Sequence, residues 1–336
     1  MVSNKIKVGV IGVGSMGLHH ARVLSRIPGA ELVGVSDLKY WRAKAASWRF
    51  GGKAFRDYRD LLSSVQAAVI AVPTTGHFPI GREALERGVH CLIEKPIAGS
   101  VEEARELLRL SEAKGLVLQV GHIERFNPAV LAAAAHIHQP KFITVERLGP
   151  YHPRMANIGV VMDLMIHDLD ILLTLIGRPV ESIEALGAKL LTEHEDIANV
   201  RLRFAGGAVA DVTASRVSLQ KSRKMRIFQE DSYISLDYAN TALKIYRKKS
   251  PVVKSLSDIE SVRPEFSKTE PLKSEHLHWL DCIRHSKKPW ASAEHGMEAL
   301  KLAVKILEEI RRFDARNGAR EAGSGNESPH NVPTAS

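Results

Sequence analysis

The most constraining stretch of this chain is its start. KIKVGVIGVGSMG runs from an apolar strand through Gly12, Gly14 and Gly17 directly into the helix-forming LHHARVL. Glycine at the first position lets the strand turn tightly, at the second it lets backbone amides close on a pyrophosphate, and at the third it permits close helix packing. Ser15 and Met16 lie inside this turn, where the positive end of the helix favours negative charge. A lone GxGxxG is weak, but here an acid follows twenty residues after Gly17: Asp37, closing the second apolar run in GVSDL. A carboxylate there accepts the ribose 2′-hydroxyl and repels a 2′-phosphate, so the pattern predicts a dinucleotide site that prefers NAD to NADP, with Lys39 nearby as a counterweight.

The same grammar continues to about residue 120. Apolar runs at 5–11, 30–35, 67–72, 90–93 and 116–120 read as buried strands, and 17–25, 80–87 and 101–114 read as helices. Ser100 and Glu103 have the spacing of a capping box for the last of these. Such alternation specifies a doubly wound parallel sheet, an α/β Rossmann domain over residues 1–122. Its third strand ends in AVPTTGHF, putting Pro73, Thr74 and His77 beside the cofactor, although His77 could equally cap or pack. The next strand ends in HCLIEKP. Glu94 and Lys95 then fall at the nicotinamide end of the cleft, where a lysine is either chemically useful or simply a solvated charge.

Beyond residue 122 two helical stretches, 127–135 and 159–176, mix with strands at 142–147, 182–190, 198–204, 208–215, 224–229, 233–237 and 242–246. Several alternate, with Val200, Leu202 and Phe204 against Arg201 and Arg203. The expectation is an α+β domain over 123–315 with a large, mostly antiparallel open sheet. Helices at 275–285 and 293–312 could pack back on the first domain. Residues 316–336, rich in Gly, Ser, Asn and Pro, have too little apolar material to fold. The formal charge of +9 is concentrated in residues 221–249, where eight Lys and Arg meet three acids. That segment alternates like strands and carries no nucleic-acid module, so we expect no nucleic-acid partner and read the charge as suited to an anionic small molecule. Apolar runs are too short for a membrane span, and the N-terminus lacks a secretory pattern, which points to the cytoplasm. Cys91 and Cys282 offer neither a redox pair nor a zinc framework.

The apolar helix VVMDLMIHDLDILL carries Asp163, His167, Asp168 and Asp170. Asp163 and His167 are four apart and should share a helix face, where a carboxylate can orient an imidazole. Three carboxylates spread around a helix do not converge on one ion, so no metal is expected. The bland reading is a buried polar network at a domain interface.

Taken together, GxGxxG, the EKP strand end, GHIERFNP and Asp-x-x-x-His resemble the Gfo/Idh/MocA oxidoreductases across about residues 5–312. The resemblance implies tightly held NAD(P), oxidation of a sugar or cyclitol hydroxyl, and a homodimer or homotetramer formed through the open sheet. It makes Lys95 and His167 the catalytic pair and Asp163 the partner of the histidine, and Pro96 matches a proline that is commonly cis. GHIERFNP and GPYHPRMANIG further look like the branch that oxidises nucleotide-linked sugars, such as UDP-N-acetylglucosamine at its 3-hydroxyl, ahead of an aminotransferase in lipid A diamino-sugar synthesis. On that reading Arg125, Asn127 and Arg154 bind substrate alongside Asp163 and His167, the guanidinium forks meeting the diphosphate. Arg125 could instead pair with Glu124 or a helix aspartate and fix the interface. The alternatives are a myo-inositol or other polyol dehydrogenase and, from another class, a non-catalytic NAD-binding sensor or scaffold.

Overall fold

The computed structural model describes residues 5–153, 156–267 and 269–323. Its first part is β1 (Ile6–Ile11), α1 (Ser15–Leu24), β2 (Ala30–Ser36), α2 (Tyr40–Phe50), β3 (Lys53–Phe55), α3 (Tyr58–Leu62), β4 (Ala67–Ile70), α4 (His77–Glu86), β5 (His90–Glu94), α5 (Val101–Ala113) and β6 (Leu118–Gly121). These strands form one parallel sheet in the order β3-β2-β1-β4-β5-β6. Strand order reverses between β1 and β4, which opens a crevice at their carboxyl ends. All of β4 is buried, which is why it reads as an unbroken apolar run rather than an alternation. β3 is three residues long and shows no usable period, so no pattern in the sequence announces it. Ser100 caps α5 as expected, accepting from the Glu103 amide at 3.2 Å. The Glu103 carboxylate, however, reaches the amide of Gly99 at 2.9 Å rather than that of Ser100.

The second part comprises α6 (Pro128–Ala134), β7 (Phe142–Leu148), α7 (Ile166–Ile176), β8 (Val180–Ala188), β9 (Ile197–Phe204), β10 (Val209–Ser215), β11 (Ser222–Phe228), β12 (Ser232–Asp237), β13 (Ala242–Lys248), β14 (Ile259–Val262), α8 (Pro271–His285) and α9 (Ala293–Gly323). The eight strands run β14-β13-β12-β11-β7-β10-β9-β8. β7 and β10 pair in parallel, and the other described pairings are antiparallel. Strict alternation puts Val145, Val200, Leu202 and Met225 on the inner face, packed with Leu169 and Leu172 of α7. The outer face keeps a stacked row of Phe142, Phe228, Tyr233 and Tyr246, with centroids 4.9 to 5.9 Å apart.

The last two helices join the layers. Leu272, Trp279 and Leu280 of α8 pack in the core beneath β1 and α1. α9 starts on the parallel sheet through Ala293 and Leu300, then crosses to the second core through Leu302, Ala303, Ile306 and Ile310. Just before it, Ala291 accepts from the Val120 amide at 2.8 Å and extends the edge of β6. α9 continues to Gly323, past the expected boundary at 316, because Ala319, Arg320, Glu321 and Ala322 are strong helix formers. Among the described residues no helix is long and apolar enough to cross a membrane.

Candidate active site

The glycine turn is built as its spacing demands. Gly12 has φ +85°, and a Cβ there would lie 2.7 Å from the Ala71 carbonyl oxygen; one on Gly17 would lie 1.8 Å from the Gly12 carbonyl oxygen. Packing therefore requires both glycines. Gly14 is different: a Cβ on it would meet nothing within 4 Å. The protein itself leaves that space open at the N-terminus of α1, and a pyrophosphate is the group that would use it.

From here a cleft of about 930 Å³ runs along the carboxyl edge of the parallel sheet. Asp37 and Lys39 line one end, Gly14, Met16 and Pro73 the middle, and Glu94 and Lys95 the other end. Asp37 is held by backbone amides, Oδ2 accepting from Val13 at 2.9 Å and Oδ1 from Lys39 at 2.8 Å. Three expected cofactor neighbours fall elsewhere. Ser15 opens α1 on the exposed side and lines a separate groove between α1 and α2. Thr74 begins a tight 3-10 turn, which presents Thr75 to the cleft in its place. His77 is 1% exposed, and its ring nitrogens lie 2.8 Å from the Pro96 carbonyl oxygen and 2.9 Å from that of Val72. Burial lowers its pKa, so the neutral ring donates to one of these carbonyls and packs between the two strand ends.

Lys95 follows β5, and the Lys95-Pro96 peptide is cis. Its Nζ donates to Asp163 twice, to the backbone oxygen at 2.6 Å and to Oδ1 at 3.0 Å. This corrects the expected pairing of Asp163 with His167. Residues Val161–Met165 form a π-helical turn ahead of α7. The wider turn breaks the register that stacks positions four apart, so Asp163 swings to Lys95. His167 lies in the first turn of the regular helix that follows. Burial lowers the pKa of His167 well below its ordinary value, and the positive charges of Lys95 and Arg147 lower it further, so the ring is neutral near pH 7. Its Nδ1 is enclosed without a hydrogen-bond partner among the described residues.

Behind this helix two guanidinium clamps fix its position. Arg125 binds Asp170 through both nitrogens, at 2.8 and 2.7 Å, and also donates to the Trp290 carbonyl. Arg147 binds Asp168 at 2.6 and 2.9 Å and Glu124 at 3.2 Å. Arg125 is 6% exposed and its guanidinium is engaged by Asp170 and the Trp290 carbonyl, so it fixes the interface. Asn127 is likewise structural: it caps α6 by accepting from Ala129 at 3.1 Å, and its amide donates to Glu124 and to the Tyr238 carbonyl. Arg154 lies outside the described residues. The three helix acids thus take three different cations, Asp163 with Lys95, Asp168 with Arg147 and Asp170 with Arg125.

Two contributors escaped the sequence reading. Arg147 continues the buried phase of β7 after Ile143 and Val145. A charge in that phase is itself a signal of a buried partner. His20 is fully buried and joins the cleft to α8, with Nε2 2.8 Å from Glu94 Oε1 and Nδ1 2.9 Å from His276 Nε2. Nothing local in GLHHAR marks it.

A dinucleotide cleft of this strand order, ending at a lysine that faces a helix of a second, open-sheet domain, defines a two-domain nicotinamide-dependent oxidoreductase. The comparisons name the class. Residues 6–122 match the oxidoreductase family with NAD-binding Rossmann fold, and residues 129–235 match the GFO/IDH/MocA C-terminal domain. The chain belongs to the Gfo/Idh/MocA family and is an oxidoreductase. It is 35% identical over 309 residues to UDP-N-acetylglucosamine 3-dehydrogenase of Acidithiobacillus ferrooxidans, covering 92% of this chain and 98% of that protein. The solved structure of that bacterium's UDP-N-acetylglucosamine 3-dehydrogenase GnnA superposes with a TM-score of 0.86 at 34% identity, over 92% of this chain and 99% of that one. An inositol 2-dehydrogenase of Rubrobacter xylanophilus is 34% identical over 230 residues, covering 64% of this chain and 66% of that protein.

Proposed function

We propose that this protein oxidises the 3-hydroxyl of UDP-N-acetylglucosamine to the 3-keto sugar with NAD as hydride acceptor. The observation that carries this is the neutral His167 beside the Lys95–Asp163 pair, at the end of a cofactor cleft in a chain that matches a UDP-N-acetylglucosamine 3-dehydrogenase over nearly its whole length. A neutral imidazole can take the hydroxyl proton, and enclosure keeps it unprotonated until that moment. Lys95 uses two of its three N–H donors on Asp163. The third remains for the oxygen that becomes an alkoxide. Bound NAD would supply the hydride acceptor. Asp163 thereby acts through the lysine, fixing the direction of its free donor. Gly12, Gly14, Met16 and Gly17 would hold the pyrophosphate, and Asp37 would select NAD through the ribose diol.

The keto product suits an aminotransferase of diamino-sugar synthesis for lipid A. Polyol oxidation is the second reading, supported by the inositol dehydrogenase relative. A non-catalytic sensor would have no use for Lys95 and His167 together at one cleft end. The outer row of stacked aromatics supports self-association through the open sheet. The deciding assay follows NADH or NADPH formation with UDP-N-acetylglucosamine and with myo-inositol. Turnover is expected with the nucleotide sugar and NAD; turnover with myo-inositol alone, or only with NADP, overturns the substrate or the cofactor assignment respectively.

A further inference from the structure

With Arg125 taken by Asp170, the diphosphate of a nucleotide sugar needs another cation. We propose that Arg223 is the substrate-phosphate residue of this enzyme, a deeper reading of the same site that rests on an anionic substrate. The argument begins with strand register. Arg223 at the start of β11 lies directly opposite Arg147 near the end of β7. Directly opposed residues share a face, so Arg223 stands on the inner, helix-facing side of the sheet. Arg147 reaches from this point to Asp168, the residue after His167, which puts this end of the sheet at the border of the chemistry. Unlike Arg147, Arg223 is exposed.

Counting charges then isolates it. Lys95 is compensated by Asp163, Arg125 by Asp170, Arg147 by Asp168 and Glu124, and Arg216 by Asp196. Among the described residues no acid pairs with Arg223. Two arginines opposed across a strand pair repel one another, and Asp168, whose charge Arg223 also feels, is already bound by Arg147. An anion arriving with the substrate would offset the repulsion. The charge of Arg223 already reaches the site: it adds to the lowering of the His167 pKa and opposes the rise that burial imposes on Asp168. The rim beside it is well defined: Ser222 pairs with Leu148, the Gly149 amide donates to Ser215, and the Ser218 amide donates to Gly149. A guanidinium here can fork onto phosphate oxygens while the sugar points inward to His167.

The test uses the full-length protein loaded with NADH and measures binding of UDP to wild type, Arg223→Ala and Arg223→Lys. Arg223→Ala is expected to weaken UDP roughly tenfold to hundredfold, the loss of one charge-assisted contact, with lysine recovering part of it and NADH affinity retained. KM for the sugar nucleotide should rise more than kcat falls. Equal UDP affinity in wild type and Arg223→Ala overturns the proposal while leaving the nucleotide-sugar reading intact. If instead glucose 6-phosphate is the substrate oxidised and its KM rises in Arg223→Ala, the sugar-nucleotide reading fails and the role of Arg223 stands. Wild-type protein that binds neither UDP nor glucose 6-phosphate overturns both.

Discussion

Two buried polar clusters flank Lys95, and they are built on opposite principles. On the α7 side, Arg147 and Arg125 meet Asp168 and Asp170 in bidentate pairs, charge against charge. On the α8 side, the cluster is a line of histidines and carboxyls in which much is left unpaired. His20 links Glu94 to His276, whereas His276 Nδ1, Trp279 Nε1 and both oxygens of Glu275 have no partner among the described residues. Burial pushes Glu275 well above its ordinary pKa and, with the charge of His20, His276 well below its own, so both are neutral. Burial also raises Glu94, but the hydrogen bond from His20 and the nearby Lys95 outweigh it and hold the carboxyl below its ordinary pKa. His20 thus bridges the two, with Nε2 against Glu94 and Nδ1 against His276 Nε2. The first cluster fixes geometry by setting each helix carboxylate against a guanidinium. The second depends on which protons it keeps.

If the two clusters serve only to hold Lys95 and His167 in place, removing either functional group should cost far more turnover than folding. Lys95→Ala and His167→Ala are expected to lose about 10²- to 10⁴-fold in kcat, some 3 to 5.5 kcal/mol of barrier, with NADH affinity preserved. Steady-state rates together with NADH titration check this. A variant with near wild-type rates would remove that residue from the mechanism.

Next in size is the clamp itself. Arg125→Met strands the 1%-exposed Asp170 without its cation and is expected to destabilise the fold by about 3 to 5 kcal/mol in denaturant melts. The double variant Arg125→Met, Asp170→Leu should recover most of that loss. Failure of the double to recover would mean that the pair is worth more than its burial costs.

How much of this could be read from the chain differs between the two halves. Gly12, Gly14, Gly17 and Asp37 announce the cofactor cleft because their spacing within one strand-helix-strand segment is itself the signal. The substrate side is harder, because its partners come from distant segments. Asp163 was assigned to His167 on helical spacing, and a single π turn redirected it to Lys95. The pairing of Arg125 with Asp170 spans 45 residues, and that of His20 with His276 spans 256. No periodicity carries such information, although Arg147 in the apolar phase of β7 came close to doing so.

The pH-dependent cluster offers a smaller effect with a definite sign. Because the folded pKa of Glu275 is raised above 4.5, its contribution is fully present below that value. Stability is then lost as pH rises toward the folded pKa, since the unfolded chain ionises first. Glu275→Gln removes this slope. Its melting temperature relative to wild type is expected to climb as pH rises above about 4.5. A difference that stays constant with pH would show that Glu275 is not held protonated.

The smallest expected change to the fold concerns the glycine turn at the start of α1. Gly14 sits at φ −70° and ψ −156°, a backbone that any residue adopts, with open space where a Cβ would go. Gly14→Ala should therefore alter folding stability by no more than about 0.5 kcal/mol. Gly17→Ala, by contrast, drives a methyl to 1.8 Å from the Gly12 carbonyl oxygen and should not fold normally. The added methyl of Gly14→Ala stands where the pyrophosphate must approach, so NADH affinity should fall about tenfold, a loss of some 1.4 kcal/mol confined to binding. Calorimetric titration of NADH beside a thermal melt separates the two quantities. Unchanged NADH affinity in Gly14→Ala would move the pyrophosphate away from this turn, and with it the reason for a glycine at a position where packing asks for none.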